Sequence, residues 1–376
     1  MFLGCSARVL LGDRPLSVEY APTVAANSYT RVAERITAIC ESAEDAMTLR
    51  LRLIEEIRRA IDFDVFAWLL TDPETSVGSS PLSDLPWTTE LPTLIRLKYL
   101  TGVNRWTAIG DSRVETLRGA THGDLTRSRL WRELLCTHDV GDVASTVFRD
   151  RFGCWGFLDL WRIGAGAPFG LAEESFLSSI AGTVTTALRR CQANTFLAPA
   201  APDPPPAGPV VLLLSPHLDV LGQTPETLEY LRLLVPPAAG QTPIPASAYN
   251  VAAQLLALEQ QADSNPPWAR VHLSAGLWVT LRAARIGEVK SIAERDIAVT
   301  IGKSSPAERV DLFAKAFGLS AREDELLGYL ISGADTRELA HRMFLSQHTV
   351  QDHLKSIFAK TSARSRRTLL SRALGT

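Results

Sequence analysis

Long apolar runs are missing from this chain of 376 residues. No uninterrupted stretch reaches the ~18 apolar residues that a membrane-spanning helix requires. Cys5 follows Phe2, Leu3 and Gly4, but neither a basic segment nor an apolar run of about 7–15 residues precedes it, so a secretion signal is not expected. Cysteine itself is scarce: five residues, at positions 5, 40, 136, 154 and 191, with no C-x-x-C spacing. Scattered thiols in odd number argue against a disulfide framework and fit a reducing compartment. A cytoplasmic protein without membrane association is expected. Net charge is small, −2, so the overall balance names no partner. No internal repeat of about 20–50 residues is evident.

Recognisable reaction chemistry is equally sparse. Gly302-Lys303-Ser304 has the end of a phosphate-binding loop, but the motif needs glycine five residues before Gly302 and Ile297 stands there. Cys136-Thr137-His138-Asp139 offers half a metal site with no further ligands at a suitable spacing. Asp62 and Asp64 precede a strand, whereas a phosphoacceptor aspartate belongs at a strand's C-terminal end. No Ser/His/Asp or Cys/His set suggests nucleophilic catalysis. The expectation is a protein that is not an enzyme and uses no metal or cofactor.

Proline is plentiful in one place. The segment 197–209, LAPAAPDPPPAGP, holds six prolines in thirteen residues, which neither a helix nor a central strand accepts. It reads as a semi-rigid spacer. Before it, Val32, Ile36, Ile39 and Cys40 recur at helical spacing, and Leu49, Leu53, Ile57 and Ile61 form a second stripe. Strands are expected at 64–70 and 155–161. A closing helix follows, entered through Glu173 and Glu174, with Phe176, Leu177, Ile180, Val184, Ala187 and Leu188 inward. Helices at both ends of a strand set suggest a sheet covered on one side. With Pro168, Phe169, Glu173, Glu174, Phe176 and Leu177 running into that helix, residues 28–192 resemble a GAF domain, a sensor or dimerisation module.

After the spacer, Val210–Leu214 reads as a buried strand. Thr224-Pro225-Glu226 should cap and open a short helix, residues 251–260 a second one. Arg270–Leu273, Leu277–Ala284 and Ile297–Ile301 read as strands. In element order, 210–304 resembles a PAS-type sensor domain. Ser305-Pro306-Ala307-Glu308 should cap a helix over 305–317 that joins sensor to tail.

The tail, 318–376, carries the clearest signals. From 340 to 376 seven basic residues face one acid, Asp352, a local +6 on a remainder of −8. Ser320 with Glu323, and Asp335 with Glu338, have capping-box spacing. Ser346 and Ser365 are further N-caps, and Gly333 suits a left-handed helix end. Val350, Leu354, Ile357 and Phe358 face inward, which leaves Gln347, His348, Gln351, Asp352, Lys355, Ser356 and Ala359 outward. Two short helices joined by a tight turn, the second with a polar outer face, define a helix-turn-helix. Leu319-Ser320-Ala321-Arg322-Glu323, Glu338-Leu339-Ala340, Leu345-Ser346-x-His348-Thr349-Val350, His353-Leu354, Ile357-Phe358-x-Lys360 and Ala363-Arg364-Ser365-Arg366 resemble the LuxR-type signature. Two positions depart from it. Phe344 stands where many members have glycine, which should alter only the packing of the turn, because a bulky residue is costly in the left-handed region. Gln351 stands where many have lysine, which weakens inference about the operator.

That resemblance implies a four-helix domain that binds double-stranded DNA as a homodimer, with the fourth helix at the dimer contact. Carried over by position, Gln351, Asp352 and Lys355 are the base-edge candidates. Ser346, Thr349, His353, Arg364 and Arg366 are the phosphate candidates. Six of the eight tryptophans fall between 68 and 161. Trp68, Trp155, Phe157 and Trp161 are therefore candidates to line an apolar effector pocket, with core packing as the competing role. The overall expectation is a multidomain chain: an α+β GAF-like block, an α+β PAS-like block and an all-α reading domain. The alternative is a DNA-binding dimerisation scaffold without any small-molecule effector.

Overall fold

The structure, a computed structural model, describes residues 21–110, 113–197, 210–234, 243–274, 277–287 and 291–375. Cys5 and most of the proline-rich spacer lie outside the described residues. Two antiparallel five-stranded sheets are followed by a helical tail.

The first unit opens with α1 (Ala21–Ser42) and α2 (Ala46–Arg58). Asp45 caps α2 by accepting from the N–H groups of Met47 and Thr48, as a carboxylate at a helix N-terminus should. Strands β1 (Val65–Thr71) and β2 (Gly78–Ser83) form a hairpin. Then come α3 (Leu91–Leu100), β3 (Val114–Thr116), α4 (Leu117–Ala120), α5 (Arg129–Glu133), β4 (Val140–Asp150), β5 (Gly153–Ile163) and the long α6 (Leu171–Asn194). Strand order is β2-β1-β5-β4-β3. Alternation then sorts the side chains. Phe66, Trp68, Ala144, Phe148, Leu158 and Leu160 face α1, α2 and α6. Leu69, Val147 and Phe157 face the opposite way, towards Ile95 and Tyr99 of α3. Helices therefore cover both faces of this sheet, which corrects the expectation of one.

The second unit comprises β6 (Val210–Leu214), β7 (Val220–Gln223), α7 (Thr227–Leu234), α8 (Ala246–Glu259), β8 (Trp268–Ser274), β9 (Leu277–Ile286) and β10 (Asp296–Lys303). The expected strands are present, and β7 is additional. Helix α7 begins two residues later than the Pro225 start expected from sequence: Thr224 Oγ1 instead accepts from Val211 N–H and bonds Thr227 Oγ1. Strand order is β7-β6-β10-β9-β8. In order of appearance this is the same 2-1-5-4-3 pattern as the first sheet, a topological repeat invisible to residue comparison.

Helix α8 ties the units together. It is buried on nearly every side, alanine-rich, and shares one core with both sheets, touching α3 and β2 on one side and β9 on the other. Its polar Ser247, Asn250 and Gln254 are buried along with its alanines and leucines. Its approach explains Gly78: a Cβ there would lie 2.6 Å from Leu69 Cδ2 and 3.0 Å from Asn250 Oδ1.

Helix α9 (Pro306–Ala316), capped by Ser305 and Glu308, crosses the other side of the second sheet. Arg282 pairs with Glu308 there, and Arg270 with Asp311 at 2.8 Å. Gly318 ends the helix at φ +63°, where a Cβ would meet Arg189 and Phe152 of the first unit. The tail consists of α10 (Ala321–Ile331), α11 (Thr336–Arg342), α12 (Gln347–Thr361) and α13 (Arg366–Leu374). Their Leu326, Leu327, Leu330, Leu339, Val350, Leu354, Ile357 and Leu369 form the inner face.

Candidate nucleic-acid interface

Every helix of the tail starts on a side-chain cap. Ser320 and Asp335 form reciprocal boxes with Glu323 and Glu338, and Ser346 and Ser365 accept from Thr349 and Thr368 N–H. The caps fix where each short helix begins, which propensity alone would not do at this length. With α12 anchored through Val350, Leu354 and Ile357, its opposite edge is forced outward. Gln347, His348, Gln351, Asp352, Lys355 and Ala359 are exposed there. Asp352 lies between two basic side chains, 3.6 Å from His348 Nε2 and 3.5 Å from Lys355 Nζ, so the edge carries groups of both signs.

The phosphate candidates are placed unequally. Arg364 is exposed and Thr349 and His353 are half-buried. Ser346 Oγ is engaged as the α12 cap and lies 2.9 Å from Thr349 Oγ1. Arg366 donates to Thr336 Oγ1 at 2.6 Å, which holds it between α11 and α13. Other basic groups serve the fold. Lys360 reaches Glu323 at 2.6 Å and Gly318 O at 3.2 Å, while Arg372 donates to Thr361 O. Burial alone would raise the Glu323 pKa, but Lys360, the Ser320 N–H and Ser356 reverse this and bring it to about 2. Exposed Arg337 and Arg342 on α11 were not singled out from sequence; their spacing relative to the Asp335 cap was the available signal.

Phe344 differs from expectation. It takes φ +56°, in the left-handed region, and is 94% exposed. The turn keeps the glycine-like backbone and turns the ring into solvent instead of packing it.

Helix α13 rests on α9 within the chain. Arg309 of α9 donates to Arg372 O at 3.2 Å, with its guanidinium 4.8 Å over Phe196. Phe196, just past α6, stacks on Trp278 of β9 and meets Phe313 of α9 edge-on. This aromatic group joins the end of α6 and the second sheet to the helix that precedes the tail.

A second feature lies on the α3 side of the first sheet: a cavity of ≈ 350 Å³ with Leu69, Leu91, Ile95, Trp106 and Trp161 among its walls. Lys98 and Asp159 pair on its wall at 3.1 Å, both almost fully buried. Asp159 also accepts from Trp106 Nε1 at 2.8 Å and Ser145 Oγ at 2.5 Å. Burial lowers the Lys98 pKa, with Asp159 opposing. Trp161 Nε1 and Asn250 Oδ1, both from cavity-lining residues, are buried with no hydrogen-bond partner among the described residues. Of the four aromatic candidates, Trp161 lines this cavity and Phe157 stacks behind Trp106 at 4.9 Å. Trp68 and Trp155 belong to the helix-covered core on the other face, so the four do not form one wall. The Lys98–Asp159 pair went unnoticed because its members are 61 positions apart with no local motif.

Elsewhere, His138 stacks on Trp87 and contacts Glu90, while Cys136 Sγ faces Arg132 O. Among the described residues no group of three or more His, Cys, Asp or Glu is placed to hold a metal ion, and no helix is long and apolar enough to cross a membrane.

A short capped helix, a tight turn and a second helix with a polar outer edge make this tail a helix-turn-helix module. Residues 318–373 match the family model of bacterial regulatory proteins, luxR family, and this segment is a LuxR-family helix-turn-helix domain. Among solved structures the chain is similar to Escherichia coli SdiA, at 11% identity and TM-score 0.34 over 92% of this chain and 98% of that one. SdiA in complex with octanoyl-rac-glycerol gives 12% and 0.28, over 96% of each chain. The sensor region of a sensor histidine kinase gives 14% and 0.18, over 64% of this chain and 84% of that one. These three likenesses are too distant to carry a structural argument. No curated protein matches the chain.

Proposed function

We propose that the protein is a transcription regulator that reads double-stranded DNA with α12 as a homodimer, under the control of its two-sheet body. The observation that carries this reading is the exposed edge of α12 on a helix whose other side is locked into the four-helix core. Such a helix fits the major groove. Gln351 suits adenine, Lys355 guanine, and Asp352 accepts from cytosine N4. Thr349, His353 and Arg364 flank the edge and serve phosphates, which set position without specifying sequence; Ser346 and Arg366 act first by fixing the helices that carry them. A dimer would read half-sites about one helical turn, ~10 base pairs, apart.

The body acts as a GAF-like and a PAS-like sensor pair. The cavity beside α3 takes a small apolar effector with a neutral polar head: its walls are apolar, its one ion pair is internally balanced, and an unpaired donor and acceptor await the head group. An effector shifts DNA binding only by favouring one arrangement of the body over another. The contact group of Phe196, Phe313 and α13 is the route by which that difference reaches the tail.

The test is selection of duplexes from a random library by the full chain, followed by titration of the winning sequence. Enrichment of a motif with two related half-sites is expected. Retention of no duplex above background would overturn the reading.

A further inference from the structure

A second cavity, of ≈ 410 Å³, lies where the first sheet, the end of α6 and the edge of the second sheet meet. Two arginines stand in its wall and are treated oppositely. Arg270 is neutralised: Asp72 binds it at 2.7 and 2.9 Å, with Glu74 at 3.1 Å and Asp311 at 2.8 Å. Arg50 is as deeply buried, 1% exposed, yet no carboxylate of the described residues lies within ion-pair distance. Its Nε donates to Ala46 O, and Nη1 to Trp68 O and Ser80 O at 3.0 and 2.7 Å. Those carbonyls fix the guanidinium across the β1–β2 irregularity without an ion pair. Nη2 has no protein acceptor among the described residues. Asp45, whose charge favours the Arg50 cation, already accepts two backbone N–H groups as the α2 cap.

A buried cation without an ion pair is expensive and normally finds a counter-charge. The same wall holds a second unfilled donor. Trp278 is 3% exposed and its Nε1 has no acceptor among the described residues. Beside it, 5.1 Å between ring centroids, stands His272, whose pKa burial pulls down to about 4. That ring is neutral at pH 7 and does not compete for an anion.

We propose that this cavity between the two sheets binds a small organic carboxylate, with Arg50 as its counter-charge and the Trp278 indole as a second donor. One positive charge calls for one negative charge, and a planar carboxylate matches the guanidinium fork. A doubly charged phosphate is disfavoured, because Glu44 and Asp45 also line the cavity. Leu70, Pro73 and Val271 supply apolar wall for the body of the ligand. The site differs from the cavity beside α3 and stands whether or not that one binds an effector. Trp278 stacks on Phe196, so occupancy bears directly on the junction with α9.

The experiment uses the purified full chain in thermal unfolding and calorimetric titration with sodium benzoate, phenylacetate and octanoate. Each is used at about 10 mM and constant ionic strength, with benzamide as the neutral counterpart. At least one carboxylate is expected to raise the midpoint by about 2 °C or more, and benzamide to leave it unchanged. Arg50→Met should abolish the response. Trp278→Phe keeps the ring stack and should weaken Kd about three- to tenfold by removing one hydrogen bond. The proposal falls if none of the three carboxylates acts on the natural chain, if benzamide matches benzoate, or if the response survives in Arg50→Met. Should Arg50→Met not fold, unchanged affinity in Trp278→Phe overturns it equally.

Discussion

In the two-sheet body the charged groups that organise the structure lie inside: Arg270 among three carboxylates, Lys98 against Asp159, Arg50 against carbonyls. In the segment after Gly318 they lie mostly outside, on α12 and α13, and the fold rests on N-caps and a leucine-rich interior. A buried ion pair contributes little net stability but is costly to break. A structure built on such pairs therefore resists small distortions and yields all at once. A structure built on caps and apolar side chains keeps its surface charges free for an outside partner. The body is held by buried charges that answer one another, and the tail by caps that leave its surface charges free.

The largest test of this contrast is Arg270→Met. Asp72 would be left buried without its cation, and burial opposed by the Asp72 and Asp311 carboxylates already holds the arginine pKa above its ordinary value. A loss of about 3–5 kcal/mol is expected in denaturant unfolding of the full chain. A loss under about 1 kcal/mol would mean the cluster does not join the two units.

Next comes a buried charge of the tail. Glu323 titrates at about 2 instead of 4.5. A depressed carboxylate adds stability that is fully present above pH 4.5 and disappears as pH falls from there towards 2. Hydrogen exchange of α10 and α12 should show this as a loss of about 2 kcal/mol on acidification, absent in Glu323→Gln. Equal acid sensitivity in both proteins would place the cause elsewhere.

Lys355→Ala should cost about 1–3 kcal/mol of specific DNA binding with the melting point unchanged, since the side chain is exposed. Unaltered affinity in a gel-shift titration would remove it as a base reader. Arg364→Ala should weaken all sequences alike and reduce the salt slope by about one unit; a constant slope would contradict a phosphate contact. The smallest effect runs the other way. Phe344→Gly relieves left-handed strain and should stabilise the tail by about 1 kcal/mol, read as a rise in melting temperature. No rise would mean that the turn holds Phe344 without strain.

The same contrast explains what was legible in the sequence. The tail could be read almost residue by residue, because caps act over three positions and leucine spacing over four. Ser305, Ser320, Asp335, Ser346 and Ser365 all cap where their neighbours indicate. The body was legible only in strands with strong runs, Val65–Thr71 and Val210–Leu214 among them. Strands β2, β3 and β7 are short edge strands, one with Pro81, and carry no periodic signal. The cavity and the Arg270 cluster join residues far apart in the chain, Asp72 and Arg270 being 198 positions distant. No local pattern records such pairings. Phe344 shows the opposite failure: its identity argued against a left-handed turn, and the surrounding helices imposed one.

The alanine-lined helix α8 has a practical consequence. The proline-rich segment invites cutting the chain into a front piece and a rear piece, each with a complete sheet. Either piece alone would present to water the surface where α8 meets α3 and Gly78. Expressed separately, the halves should aggregate or stay incompletely folded, and mixed during synthesis they should find each other again. What looks like a division in the one-dimensional text falls within a single folding body, because α8 packs against elements of both units.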